Sequence, residues 1–142
     1  MNVVNACSRP AVAARPSATL AEVAELMRER NVGAVVIAEG LPDRPVPIGV
    51  VTDRDIVQAQ LEHTADLSRL SAGQIMSHNP LVIDEESAME DAIGRMRARQ
   101  VRRAPVVAAD GALVGLISTD DLIACVTQEL LNVVSALGQR RP

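Results

Sequence analysis

Aromatic residues are missing from this chain: its 142 residues include no Phe, Trp or Tyr, although 48% are hydrophobic. The core must therefore be built from Val, Ile, Leu, Ala and Met, and a protein that stacks nucleic-acid bases on aromatic faces is disfavoured. An excess of positive charge is missing too. Fourteen basic residues against 18 acidic ones give a formal charge of −4, the wrong sign for a phosphate-backbone binder, so no nucleic-acid partner is expected. Cysteine is scarce: Cys7 and Cys125 are far apart, form no C-x-x-C pair and have no His at ligand spacing. That excludes a recognisable zinc site or disulfide framework and points to reduced thiols in the cytoplasm. Residues 1–9 lack a basic stretch followed by an apolar run, and no later stretch approaches the ~20 apolar residues of a membrane span. No membrane partner is expected.

Catalytic constellations are weak as well. Asp53 and Asp55 lie two apart and would point to different sides of a helix, poor geometry for a shared metal. His63 and His78 have no nucleophile, base and orienter arranged around them. The chain reads as a non-enzyme, with no catalytic and no metal residues.

What is present is an internal repeat. Residues 19–37, TLAEVAELMRERNVGAVVI, match residues 88–106, AMEDAIGRMRARQVRRAPV, at an offset of 69. After a loop three residues longer in the first copy, Gly49-Val50-Val51-Thr52-Asp53-Arg54-Asp55 matches Gly115-Leu116-Ile117-Ser118-Thr119-Asp120-Asp121 at an offset of 66. The resulting division is 1–61 for the first repeat, 62–73 for a polar linker and 74–142 for the second repeat with an extended last helix.

Each copy opens with a short extended piece, 11–14 and 81–83. A helix follows, whose apolar residues recur at three and four: Leu20, Val23, Ala24 and Met27, then Met89, Ala92, Ile93 and Met96. Thr19-x-x-Glu22 and Ser87-x-x-Glu90 read as capping boxes. Two apolar runs form a hairpin in each copy, 34–38 with 48–51 and 104–108 with 113–117, the second turning at Asp110-Gly111. A second helix closes each unit, from Asp53 to about Leu61 and from Thr119 to about Leu137. The fold class is α/β (α+β), with strand, helix, strand, strand, helix occurring twice.

This duplicated order, with the two G-h-x-[ST]-x-x-[DN] segments at 49–55 and 115–121, resembles a tandem pair of cystathionine β-synthase (CBS) domains, a Bateman module, in a stand-alone protein. The resemblance implies two pseudo-symmetric repeats packed sheet to sheet. It also implies a regulatory module that takes an adenosine-containing ligand (AMP, ADP, ATP, NAD or S-adenosylmethionine) in clefts between the repeats and signals to a separate effector protein. No obligatory cofactor is implied. Asp55 and Asp121 would accept the ribose hydroxyls, while Thr52 and Ser118 would face phosphate. Helix capping alone accounts for the same residues, so a ligand-free dimerisation scaffold is the alternative.

Arg54 and Arg103 are candidate phosphate partners, since a guanidinium fork makes paired bonds, with Arg102 a weaker one. The first copy has Gly33 and Ala34 where the second has Arg102 and Arg103, so the two sites should not be equivalent. Without aromatics, adenine would lie against Val12, Ala13, Val82 and Ile83. The last helix is apolar over much of its surface through Leu122, Ile123, Val126, Leu130, Leu131, Val133, Val134 and Leu137, which predicts a homodimer through helices; the alternatives are that Leu130 to Leu137 fold back onto their own chain or contact a further domain.

Overall fold

A computed structural model of the chain describes residues 2–63 and 66–138. Positions 64 and 65 of the linker, and 139–142 at the end of the second repeat, lie outside the described residues. The first repeat contains β1 (Ala13–Ala14), α1 (Leu20–Arg30), β2 (Ala34–Glu39), β3 (Val46–Thr52) and α2 (Asp53–His63). A 3-10 turn (Leu67–Arg69) and the short α3 (Ala72–Ile75) lead to β4 (Ser77–His78). The second repeat follows with β5 (Ile83–Asp84), α4 (Met89–Arg99), β6 (Arg103–Val107), β7 (Leu113–Ser118) and α5 (Thr119–Gly138). β1 runs parallel to β2, which pairs antiparallel with β3; β5, β6 and β7 repeat the arrangement. The result is a mixed α/β fold with two sheets, ordered β1-β2-β3-β4 and β5-β6-β7.

The apolar runs bury as their composition requires. Val35, Val36, Ile37 and Ala38 are all fully buried, so β2 is covered on both faces, as sheet-to-sheet packing demands. Val35 and Ile37 join Leu20, Val23 and Met27 in one core; Val106 and Ile117 join Met89, Ala92 and Met96 in the other. α1 and α4 both end on a left-handed residue, Asn31 and Gln100, each with φ 54°, and both are 69 positions apart in the repeat. The Asp110-Gly111 turn forms as expected: Gly111 takes φ 88° and Asp110 accepts the Ala112 amide at 3.0 Å.

One helix start differs from the sequence reading. Thr19 caps α1 through the Glu22 amide at 3.1 Å, but α4 begins on Ala88 with no side-chain cap. Ser87 stands one residue too early, and the repeat offset itself aligns Thr19 with Ala88. The reciprocal box that does form lies in the linker, between Ser71 and Gln74.

The lead segments are exchanged between repeats. Val3 donates its amide to Ser87 at 3.0 Å, and Ser8 and Leu116 exchange both backbone bonds at 2.9 and 3.1 Å. Val3 is fully buried in the second core. In the matching place, the Leu20 amide donates to the Leu70 carbonyl at 2.9 Å, β4 pairs with β3, and Ala72 and Met76 fill the first core. The cores thus interlock across the divisions drawn at 61 and 74.

Candidate functional site

Both motif segments sit where a strand delivers the chain into a helix, β3 into α2 and β7 into α5. At each junction the hydroxyl and the carboxylate close on each other's backbone. Asp55 Oδ2 accepts the Thr52 amide at 2.8 Å while Thr52 Oγ1 accepts the Asp55 amide at 3.1 Å. Asp121 and Ser118 do the same at 3.0 and 3.1 Å. These are capping interactions, each of a kind worth about 0.5–2 kcal/mol. They use one oxygen of each carboxylate, which has lone pairs for further donors, and leave the Thr52 and Ser118 hydroxyl protons to donate elsewhere.

Two open clefts adjoin these junctions, each combining the motif of one repeat with the strand entrances of the other. The first, about 570 Å³, is lined by Val50, Thr52, Asp53 and Arg54 from the first repeat, and by Ser77 to Leu81, Arg99, Val101, Arg102 and Arg103. The second, about 180 Å³, joins Ser118, Asp121 and Leu116 to Ser8, Pro10, Ala11, Val12, Val32, Gly33, Ala34 and Arg103. Ordinary small-molecule sites run from about 300 to 1,000 Å³. The first lies in that range; the second, as it stands, admits only part of a nucleotide.

Of the residues singled out from sequence, Thr52, Arg54 and Arg103 meet in the first cleft, and Ser118, Asp121, Val12 and Arg103 meet in the second. Asp55 joins neither. It lines a separate hollow with Gln58, Ala59, Glu62 and Gln74, although its bond to the Thr52 amide matches the one Asp121 makes to Ser118. Ala13 lies by Arg15 and Leu41. Ile83 is fully buried in the second core, so it packs the protein and cannot face a ligand. Val82 is half-buried and lines neither cleft; the apolar contacts on that side come from Leu81 and Val101.

The first cleft is cationic: Arg54, Arg99, Arg102 and Arg103 face it with His78, against Asp53. Arg99 donates to the Asn79 carbonyl at 2.8 Å. The side chains of Arg54, Arg102 and Arg103 make no hydrogen bond or ion pair among the described residues. The sequence contains no Lys, so every one of its 14 Lys-or-Arg positions carries a guanidinium, the group that binds phosphate oxygens in pairs. Arg99 was not singled out from sequence; its spacing from Asn79, bridged only by the fold, carries no local signal. Among the described residues no group of three His, Cys, Asp or Glu could hold a metal ion.

The last helix corrects one expectation, that no stretch is long and apolar enough for a membrane span, and removes one alternative. α5 is 20 residues long and, by length and composition alone, apolar enough to cross a membrane, because Asp120, Asp121 and Glu129 are its sole charges. It does not fold back: Leu130, Val134 and Leu137 are 62, 58 and 61% exposed. Its first turn is nevertheless held by the domain, with the Thr119 amide on the Arg102 carbonyl at 2.9 Å and Leu122 in the second core.

Known proteins share this architecture. Hypoxic response protein 1 of Mycobacterium tuberculosis is 34% identical over 104 residues, 73% of this chain and 70% of its own length. An uncharacterized Methanopyrus kandleri protein, MK0525, is 28% identical over 123 residues, and the chain spans 61% of that relative's length. The CBS domain protein PAE2072 of Pyrobaculum aerophilum, solved complexed with AMP, is 31% identical with a TM-score of 0.74, covering 85% of this chain and 89% of that one. The CBS domain pair of MJ0100, solved with 5-methylthioadenosine and S-adenosyl-L-methionine, shares the fold at a TM-score of 0.79 with 19% identity, covering 91 and 98%. The CBS domain family model matches residues 3–62 and 72–127, one match for each repeat together with the lead segment it sends to the other, and the chain belongs to that family.

Proposed function

We propose that this protein is a regulatory ligand sensor that binds an adenosine-containing nucleotide in the clefts between its two repeats and is not itself a catalyst. The observation that carries the reading is the pair of adjoining clefts: the first has nucleotide-sized volume beside Thr52, Arg54 and Arg103, and the smaller second brings Asp121, Ser118 and Arg103 to an apolar wall that includes Val12. That set offers an acceptor for a ribose diol, a hydroxyl and a guanidinium for phosphate, and aliphatic surface for a base. The AMP complex of PAE2072, a relative 31% identical to this chain, supports the same ligand class. Ligand affinity that differs between two shapes of the module would alter its contact with a separate effector protein. We place it in the cytoplasm, a reading the two free thiols, Cys7 and Cys125, support. We also place the exposed face of α5 in a homodimer.

Melting followed by far-ultraviolet circular dichroism, with AMP, ADP, ATP, NAD or S-adenosylmethionine present, tests the reading. A ligand at 100 times its Kd stabilises the native state by about 2.7 kcal/mol and raises the midpoint. Midpoints unmoved by all five leave the second reading, a ligand-free scaffold. The reciprocal Thr52–Asp55 and Ser118–Asp121 bonds favour that reading, since they explain the motif by helix capping.

A further inference from the structure

We infer that Arg103 is shared by the two clefts and decides whether the second can take a phosphate, so that an anionic ligand in the first weakens phosphate binding in the second. The inference rests on the nucleotide reading of the clefts. Arg103 opens β6 and lines both cavities. Its Nη2 lies 3.5 Å from where a β-carbon on Gly33 would stand, and Asp53 Oδ2 lies 3.4 Å from the same point. Gly33 lines the second cleft and Asp53 the first, so the guanidinium stands at the partition between them. A β-carbon at position 33 would touch both groups at ordinary van der Waals distance.

The two clefts depend on this cation unequally. In the first, Arg54, Arg99 and Arg102 remain if Arg103 turns away. In the second, Arg103 is the one cationic side chain among the described lining residues and shares that lining with Asp121; Arg9 stands just outside, between Ser8 and Pro10. A phosphate placed there without Arg103 meets the Asp121 carboxylate with no cation in the lining to offset it, and like charges at close range repel. One guanidinium cannot pair with two phosphates in separate cavities at full strength. Occupancy of the first cleft by a phosphate-rich ligand therefore withdraws the second cleft's cation, and linkage makes the effect reciprocal. A neutral nucleoside in the second cleft has no such dependence.

Isothermal titration calorimetry on the full chain tests this, with AMP or adenosine as titrant and inorganic pyrophosphate, charge without a base, as the competing anion. Pyrophosphate is expected to bind and to weaken AMP about fivefold or more, with the loss levelling off at high pyrophosphate, while adenosine affinity stays the same. In Arg103→Ala and Arg103→Gln, each first shown by circular dichroism to be folded, AMP affinity should become insensitive to pyrophosphate. The inference is overturned by pyrophosphate that fails to bind, by AMP affinity that it leaves unchanged, or by a loss that grows without limit, which is displacement from one cleft. Coupling that persists in both variants overturns it equally. Absence of any AMP or adenosine binding removes the nucleotide reading and this inference with it; uncoupled binding removes the inference alone.

Discussion

Met76 occupies the space in which a β-carbon on Gly49 would stand. The counterpart across the repeat is Gly115, whose β-carbon would meet the Ser8 carbonyl oxygen at 2.5 Å and Cys7 Sγ at 3.0 Å. Each repeat thus keeps a glycine where the lead segment exchanged from the other crosses its last strand. The first residue of each G-h-x-[ST]-x-x-[DN] segment is explained by close packing, before any ligand is considered.

Replacing Gly49 or Gly115 by Ala should therefore cost about 1–3 kcal/mol of stability, the usual penalty for overfilling a packed site. Gly115→Ala should be the worse, because a backbone carbonyl blocks it and a methionine chain can move. Urea unfolding followed by circular dichroism measures both. Wild-type midpoints would show that the exchanged segments do not sit this tightly.

Val3 is fully buried in the second core although it lies at the other end of the chain. Val3→Ala should destabilise the protein by up to about 1.5–3 kcal/mol, the worth of burying such a side chain. Hydrogen exchange should show the loss at Ile83, Val106 and Ile117, its partners in that core. Loss confined to the first repeat would contradict the exchange.

Capping and binding separate at the two aspartates. Asp55→Ala and Asp121→Ala should each cost about 0.5–2 kcal/mol of stability by losing a helix cap. Only Asp121 lines a cleft with Ser118 and Arg103, so Asp121→Ala should in addition weaken nucleotide binding by about 1.5–3 kcal/mol, with Asp55→Ala nearly silent. Calorimetric affinities for the two variants check this, and equal losses would return Asp55 to the ligand.

Ile123, Val126, Leu130, Val134 and Leu137 recur at three and four along α5 and are 50 to 64% exposed. If a second copy covers this stripe, Leu130→Glu with Val134→Glu should halve the mass seen by sedimentation at micromolar concentration while leaving the circular dichroism spectrum intact. An unchanged mass would remove the homodimer.

The backbone amide of Ala112, with Arg44 nearby, holds the Asp110 carboxyl below the usual carboxylate range. Arg44 also donates to the Asp110 carbonyl at 2.6 Å, tying the long first-repeat loop to the second-repeat turn. A carboxyl lowered by folding stabilises the protein above its unfolded value, near 3.9, and that contribution is lost as pH falls through the folded value. The protection factor of the Ala112 amide should therefore hold from pH 7 to about 5 and decline only below about 4. A decline between pH 7 and 5 would exclude Asp110 as the acceptor.

Much of this fold was legible because it is written locally and twice. The three-and-four spacing of Leu20, Val23 and Met27, the continuous run from Ala34 to Ala38, and the Asp110-Gly111 turn each specify an element through neighbouring residues. The repeat then confirmed each element by a second copy. Ser87 misled because a hydroxyl one residue before the true start looks, in sequence, like a cap.

Composition and the duplicated motif determined a two-fold α/β chain without aromatics, with hydroxyl and carboxylate at both strand-to-helix junctions. Only the tertiary structure decided which of these face a cavity. It sent Asp55 to a separate hollow, sank Ile83 into the core and drew Arg99 in beside Arg102 and Arg103. It also carried Val3 and Met76 across to the opposite repeat's core. The reason is one of range: helix, strand and turn propensities act over a few residues, whereas a cleft is bounded by chain segments dozens of positions apart that meet only once both cores have closed.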